Sequence, residues 1–194
     1  MSFLMQERSG LRYLTSSTLS GVRHGFSTRL GGVSPAPWDS LNLGPSRGDA
    51  MDNVAENYRR FCAAIGANSH QVVLSRQVHE TTVRVCTAAD AGKGLQQERD
   101  YTADALITCE SNLALTVFSA DCGILLLWDP VSGAVGGVHA GWRGCAAGIV
   151  EKAVAAMAAE YGARPQDLRA AVGPCIGPCC FETDSDVPDA MKQA

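Results

Sequence analysis

A layered α/β fold around one hydrophobic core is what this sequence predicts, and three observations carry the prediction. The chain has 194 residues, 46% of them hydrophobic, which suffices for one substantial domain, here taken to span 1–194. Short β-rich runs, "ADALIT" at 103–108 and "LALTVFSADCGILLLWD" at 113–129, are apolar on both faces, as buried strands of a layered protein are. An alanine-rich segment at 144–162 carries Ile149, Val150, Val154 and Met157 on one side and reads as a long helix laid on such strands.

The elements follow in order. Residues 1–20 show no strong period and hold a strand around "LRYLTSSTL" at 11–19. "HGFSTRLGGVSPAPWDSLNLGPSRGD" at 24–49 is so dense in Gly, Pro, Ser, Asn and Asp that it must be mostly turns, and a loop of that length is usually functional. Beyond it, Val54, Tyr58, Phe61 and Ile65 fall at helical spacing, with Asp52 as N-cap and Gly66 as the stop. "QVVLSRQVH" at 71–79 reads as a strand ending on His79, and "TTVRVCTA" at 81–88 as its continuation past a turn or bulge. A polar connector covers 91–102, and "CESN" at 109–112 separates the two buried runs. The turn "DPVSG" at 129–133 makes a hairpin of the segments on either side. The helix stops at Gly162, "DLRAAVGPCIGPCCFE" at 167–182 is a strand entering a Gly-Pro-broken loop, and "DVPDAMKQA" starts a last helix.

Composition excludes several functions. The net charge is −4, with Lys and Arg scattered, so the chain lacks the basic surface that neutralises nucleic-acid phosphates. No stretch approaches the roughly 20 apolar residues of a membrane helix. Glu7 and Arg8 interrupt any leader, so the expectation is a soluble, cytoplasmic protein with a small-molecule substrate. In that compartment the eight cysteines are thiols, ligands or nucleophiles rather than bridges, and most are small buried hydrophobes.

His79, Cys122 and His139 each sit at a predicted strand end, where layered α/β proteins gather their chemistry. Two imidazoles and a thiolate suit zinc or copper, and three protein ligands leave a fourth position open. Spacing alone favours the plainer alternative of three separately satisfied side chains, because no short ligand motif ties them together. Cys122 with His139 is equally readable as a thiolate and its imidazole base. Asp121 should face away from Cys122 and act as a structural carboxylate.

Other polar features are weaker. "GGVHAGWRG" lacks both the dinucleotide glycine order and a phosphate-loop lysine. Arg143, at the start of the long helix, could receive an anion or simply pair with a carboxylate, while Trp142 is as much a core residue as a site residue. Arg29, in the long loop, could meet an anionic group. Cys175, Cys179 and Cys180 look like half a zinc site without its second half, so a structural loop is the favoured reading.

Taken in order, "HGFSTRLGGVS", "LNLG" with "GD" soon after, "RQVH", "ADALIT", "ADCGILLLWDP", "VGGVHAGWRG" and "AVGPCIGPCCFE" carry a resemblance across about residues 24–187. The chain resembles the YfiH/LACC1 family, also known as multicopper polyphenol oxidase (laccase-like), purine nucleoside phosphorylase and peptidoglycan editing factor. The resemblance implies an α/β/β/α sandwich with mixed sheets, like certain bacterial toxin cysteine hydrolases. It also implies a catalytic zinc centre on His79, Cys122 and His139. Two departures stand out: "ADCGIL" lacks the family's proline after an intervening residue, and a further helix-and-strand region is expected beyond residue 194.

The resemblance implies phosphorolysis of purine nucleosides such as adenosine, inosine and methylthioadenosine, together with adenosine deamination. Metal coordination lowers the pKa of water from about 16 to about 7, which suits attack at the purine C6 position. Phosphorolysis instead needs phosphate beside C1′, and Arg29 and Arg143 are the expected holders through charge-assisted hydrogen bonds. The alternatives are a Cys122–His139 thiol hydrolase acting on peptidoglycan precursors, a copper-dependent polyphenol oxidase, and a non-enzymatic metal-binding module. Copper oxidation ranks last among the enzymes because the chain has only four histidines.

Overall fold

The computed structural model describes residues 2–194. The elements run β1 (Phe3–Arg8), β2 (Leu11–Ser16), β3 (Phe26–Ser27), α1 (Met51–Ile65), β4 (Val72–Leu74), β5 (Val83–Val85), β6 (Ala105–Thr108) and β7 (Ala114–Thr116). They continue with β8 (Gly123–Trp128), β9 (Val135–Ala140), α2 (Trp142–Ala146), α3 (Ile149–Tyr161), β10 (Arg169–Val172) and α4 (Asp186–Gln193). The central sheet has the order β10-β8-β9-β6-β5 and is mixed, with β5 and β6 parallel and the other pairs antiparallel. A second sheet pairs β4 with β7 in parallel, and a third has the order β1-β2-β3.

Side-chain alternation explains how the layers stack. Ile149, Ala153 and Met157 of α3 pack on Ala105, Ile107, Leu127 and Val138 of the central sheet. Leu106, pointing to the other face because strand side chains alternate, meets Val73 of β4 and Leu115 of β7. Val72 and Leu74, on the opposite face of β4, pack against Val54, Tyr58 and Cys62 of α1. The sequence α3, central sheet, β4–β7 ribbon, α1 is the expected α/β/β/α arrangement. Burial on both faces is why β4 and β6 read as continuous apolar runs.

Local chemistry fixes several boundaries. Gly66 closes α1 at φ 76°, but Asp52 lies in the first turn, and the N-cap is Ala50, which makes no side-chain capping bond. The helix expected at 144–162 is two helices, because Gly148 adopts φ 75° between α2 and α3. Only a residue without Cβ takes that conformation freely, so the alanine-rich pattern runs through a break it does not reveal. Ser9 and Gly10, both at positive φ, join β1 to β2 as a two-residue hairpin, which orders a segment read as a loose lead-in. The run 113–129 splits between two sheets, as β7 and β8.

The strand expected to end on His79 is also shorter. Only residues 72–74 pair with β7, while β5 joins the central sheet, so 75–82 is a connecting loop between two sheets. His79 occupies that loop at φ 64°. No helix among the described residues is long and apolar enough to cross a membrane.

Candidate metal centre

Sheet register places the first components. β6 and β9 are antiparallel with Ala105 opposite Val138, so Asp104 and His139 are the next facing pair. The His139 backbone N–H donates to the Asp104 carbonyl at 2.7 Å, and His139 Nδ1 lies 2.8 Å from Asp104 Oδ1. On the other side of β9, Gly123 of β8 faces Ala140, which sets Cys122 beside the end of the same strand. The Ser119 hydroxyl donates to the Cys122 carbonyl and closes the turn that presents the thiol.

His79 arrives from the other direction. The backbone N–H groups of Val78, His79 and Glu80 donate to the Asp104 carboxylate at 3.1, 3.0 and 3.0 Å. This wrapping holds His79 in a left-handed conformation that is unfavourable for a residue with a Cβ. Its ring meets that of His139 edge-on, with centroids 4.8 Å apart and planes at 82°. The sequence thus brings three residues, far apart in the chain, to a common point. The ligand atoms of His79, Cys122 and His139 all lie within 4.8 Å of one another.

Asp104 is the residue the sequence reading left out. Its buried side chain orients one imidazole and anchors the loop bearing the other. Burial pushes its carboxyl up, but hydrogen bonds from His139 and from the backbone of Glu80, Val78 and His79 outweigh burial, so the group stays below its ordinary value of 3.8. The signal available in the sequence was a carboxylate inside the otherwise apolar run "ADALIT".

The donor set fits a metal ion. With His139 Nδ1 engaged by Asp104, Nε2 is the nitrogen left for ligation, the arrangement in which a carboxylate orients a metal-binding histidine. A Cβ at Gly141 would lie 3.1 Å from His79 Cδ2 and 3.2 Å from Cys122 Sγ, and at ordinary contact, 3.6 Å, from His139 Cε1, so a side chain there would crowd His79 and Cys122. Burial and the charges of Asp121 and Asp104 push the Cys122 thiol up. Those surroundings disfavour a free thiolate nucleophile, whereas a coordinated cation deprotonates a thiol outright.

His79, Cys122 and His139 line an open cleft of about 1940 Å³ whose wall also carries Arg23, Arg29, Arg47, Arg76 and Arg99 against the carboxylates Glu110 and Asp121. Arg29 is on this wall, but its guanidinium donates to the Asp39 carbonyl at 2.6 and 2.8 Å and to the Asp39 carboxylate at 3.1 Å. Arg143 stacks on Trp142 at 4.1 Å and is not among the residues lining the cleft. Asp121 is exposed, and its carbonyl accepts the Ile176 N–H at 2.9 Å. Cys175, Cys179 and Cys180 are exposed and free, and His79, Cys122 and His139 are the metal-capable His/Cys/Asp/Glu group found among the described residues.

A family model described as multi-copper polyphenol oxidoreductase laccase matches residues 23–194. The chain belongs to that family. Among curated relatives, a purine nucleoside phosphorylase of Streptomyces coelicolor is 39% identical over 175 residues, covering 90% of this chain and 68% of that protein. The purine nucleoside phosphorylase YlmD of Geobacillus stearothermophilus is 34% identical over 189 residues, covering 96% of this chain and 69% of its own. Its crystal structure superposes with a TM-score of 0.88, across 98% of this chain and 72% of that one. The Bacillus licheniformis protein YfiH also gives a TM-score of 0.88, at 31% identity, across 97% of this chain and 71% of that one. The family description names several coppers, yet the two histidines outside the trio are committed or remote. His24 accepts the Ser16 N–H at 2.8 Å, and His70 is exposed on the turn before β4.

Proposed function

We propose that this chain is a metal-dependent purine nucleoside phosphorylase acting on adenosine, inosine and methylthioadenosine, with adenosine deamination at the same centre. The observation that carries the reading is the convergence of His79, Cys122 and His139 on the wall of a large cleft rich in arginine. Zinc is the ion proposed, since one thiolate and two imidazoles with an open position match its catalytic sites, and copper is the second choice. Held there, it would supply a Lewis-acidic position that activates water or polarises an oxygen of the substrate.

The chain's own groups do the rest. Asp104 keeps His139 in one tautomer and holds His79 in place through three backbone N–H groups. In phosphorolysis a phosphate oxygen bonds to C1′ as the bond from C1′ to the purine nitrogen breaks. The purine leaves with the electron pair and takes up a proton. Positive charge grows on the sugar meanwhile, so an anion held beside it by arginines is favourable. Arg29, on the cleft rim, is one proposed phosphate contact, and Arg143 would need to turn away from Trp142 to be another. The eight free cysteines suit a reducing compartment, and the cytoplasm is the proposed location.

The test is to incubate the zinc-loaded chain with adenosine, with and without phosphate, and to resolve adenine from inosine. Adenine formed only with phosphate, together with inosine, is the expected result. Cys122→Ser should reduce both by at least about 100-fold, since it removes a proposed ligand. Neither product from the wild-type chain would overturn the proposal.

A further inference from the structure

The adjacent cysteines 179 and 180 have no part in the metal centre described above. Both Cys179 and Cys180 are exposed and free, and their sulfurs lie 3.1 Å apart in an S–H to S hydrogen bond. Adjacency alone does not bring this about, since neighbouring side chains of an extended chain point to opposite faces. Here a turn makes them converge, because the N–H groups of Cys180 and Phe181 both donate to the Gly177 carbonyl at 3.0 Å. Pro174 and Pro178, each with a fixed φ, stiffen the same loop. The Ile176 N–H ties it to the Asp121 carbonyl at 2.9 Å.

Distances decide what such a pair can hold. A disulfide is disfavoured, because neighbouring Cα atoms across a trans peptide are about 3.8 Å apart and disulfides ordinarily need at least about 4.4 Å. A single atom bridging the two sulfurs escapes that limit, and thiolates are donors for soft acceptors. With sulfur–ion bonds of about 2.3 Å, a linear two-coordinate ion would hold the sulfurs about 4.6 Å apart and a tetrahedral one about 3.8 Å. The observed 3.1 Å corresponds to an angle at the bridging atom of about 85°. That is close to the right-angled bonds of a pyramidal centre bearing a lone pair, as trivalent arsenic is. No histidine or carboxylate is grouped with the pair among the described residues, so two sulfurs are what it offers. A monosubstituted trivalent arsenical, whose third bond is to carbon, needs no more.

We infer that Cys179 and Cys180 form a chelating site for monosubstituted trivalent arsenicals, separate from the His79–Cys122–His139 centre. On capture two As–S bonds form, the bonding of arsenic to oxygen is given up, and the two thiol protons leave with that oxygen as water. Arsenic stays trivalent, so neither an oxidant nor a reductant takes part. Because both residues are exposed, the ligand reaches the sulfurs directly from solvent. The other exposed thiols are single: Cys109 and Cys145 donate to the carbonyls of Ser132 and Ala140. A single thiol forgoes the second, intramolecular bond, which is worth about 10²–10⁴ in affinity. Neither nucleoside nor phosphate enters this chemistry, which goes beyond the proposed phosphorolysis.

The experiment adds phenylarsine oxide to the zinc-loaded chain and follows both the adduct and the zinc by native mass spectrometry, for wild type, Cys179→Ser, Cys180→Ser and Cys175→Ser. The wild type should take up one phenylarsenic group, release water and keep its zinc. Cys179→Ser and Cys180→Ser should each lower the affinity about 100-fold, and Cys175→Ser should leave it unchanged. Dithiothreitol should strip the adduct, whereas glutathione at the same thiol concentration should not, because a competitor with one thiol lacks the chelate. Unfolding temperatures without arsenical serve as controls that each variant is folded. Wild-type affinity in either Cys179→Ser or Cys180→Ser would overturn the site. So would an adduct that peptide mapping places on Cys109, Cys122 or Cys145, or one that forms only as zinc leaves.

Discussion

The Cys122 thiol lies half-buried between two imidazoles, whereas the thiols of Cys175, Cys179 and Cys180 are exposed on the loop after β10. The two regions are neighbours, because the Ile176 N–H donates to the carbonyl of Asp121. Their difference lies in how the donors are held. The start of β8 and strand β9, neighbours in the central sheet, deliver Cys122 and His139, the loop between β4 and β5 delivers His79, and each backbone is fixed by pairing or by the Asp104 carboxylate. In the other region, the sulfurs of Cys179 and Cys180 lie 3.1 Å apart on one loop, with no histidine or carboxylate grouped with them among the described residues. Proximity in sequence offers thiols; a rigid frame aims them at a common point.

The sharpest way to break this contrast is to remove the frame while keeping the ligands. Asp104→Asn leaves His79, Cys122 and His139 in the chain but takes away the charge that orients them, and should weaken zinc binding about 10–100-fold in chelator competition. The same variant should change the acid limb of stability. The Asp104 carboxyl titrates below 3.8 in the folded chain, so its stabilising contribution is complete above that pH and is lost as the pH falls through its folded value. Acid unfolding should therefore be steeper in the wild type than in Asp104→Asn below about pH 4. Superimposable curves would mean that the carboxylate does not hold the centre together.

A smaller effect is expected from Gly141→Ala. Gly141 has φ −67° and ψ 158°, which alanine adopts without strain, so the variant tests contact alone. The new methyl would press on His79 and Cys122, and zinc affinity should fall about tenfold with little change in unfolding temperature. The smallest effect belongs to the comparison region. Cys179→Ser and Cys180→Ser should leave the zinc content unchanged and stability within about 0.5 kcal/mol, because both side chains are exposed. A loss of zinc in either would show that this loop contributes a ligand.

Legibility varied with the range of the interaction that decides each feature. Gly66 and Gly162 marked helix ends correctly, since a left-handed C-cap is a local need that glycine meets. The hairpin of β8 and β9 followed from its turn residues, and the Asp129 carboxylate indeed accepts the N–H groups of Val131 and Ser132. The strand at 71–79 was overread because "QVVLSRQV" carries β-forming residues throughout, while pairing with β7 ends after Leu74. Asp104 was passed over because a carboxylate between alanines gives no local sign that three backbone N–H groups and an imidazole will surround it.

By itself, the sequence determined the α/β class and the apolar runs that become buried strands, which depend on composition and periodicity, properties of a linear chain. His79, Cys122 and His139 were singled out together only by the resemblance to a family's motifs, since their spacing favoured three separate roles. Only the tertiary structure decided that the donors meet and that Asp104 stands behind them. Register is the reason. Pairing Ala105 with Val138 and Gly123 with Ala140 sets Asp104, His139 and Cys122 side by side. A slip of one residue in either ladder would turn one of them to the opposite face.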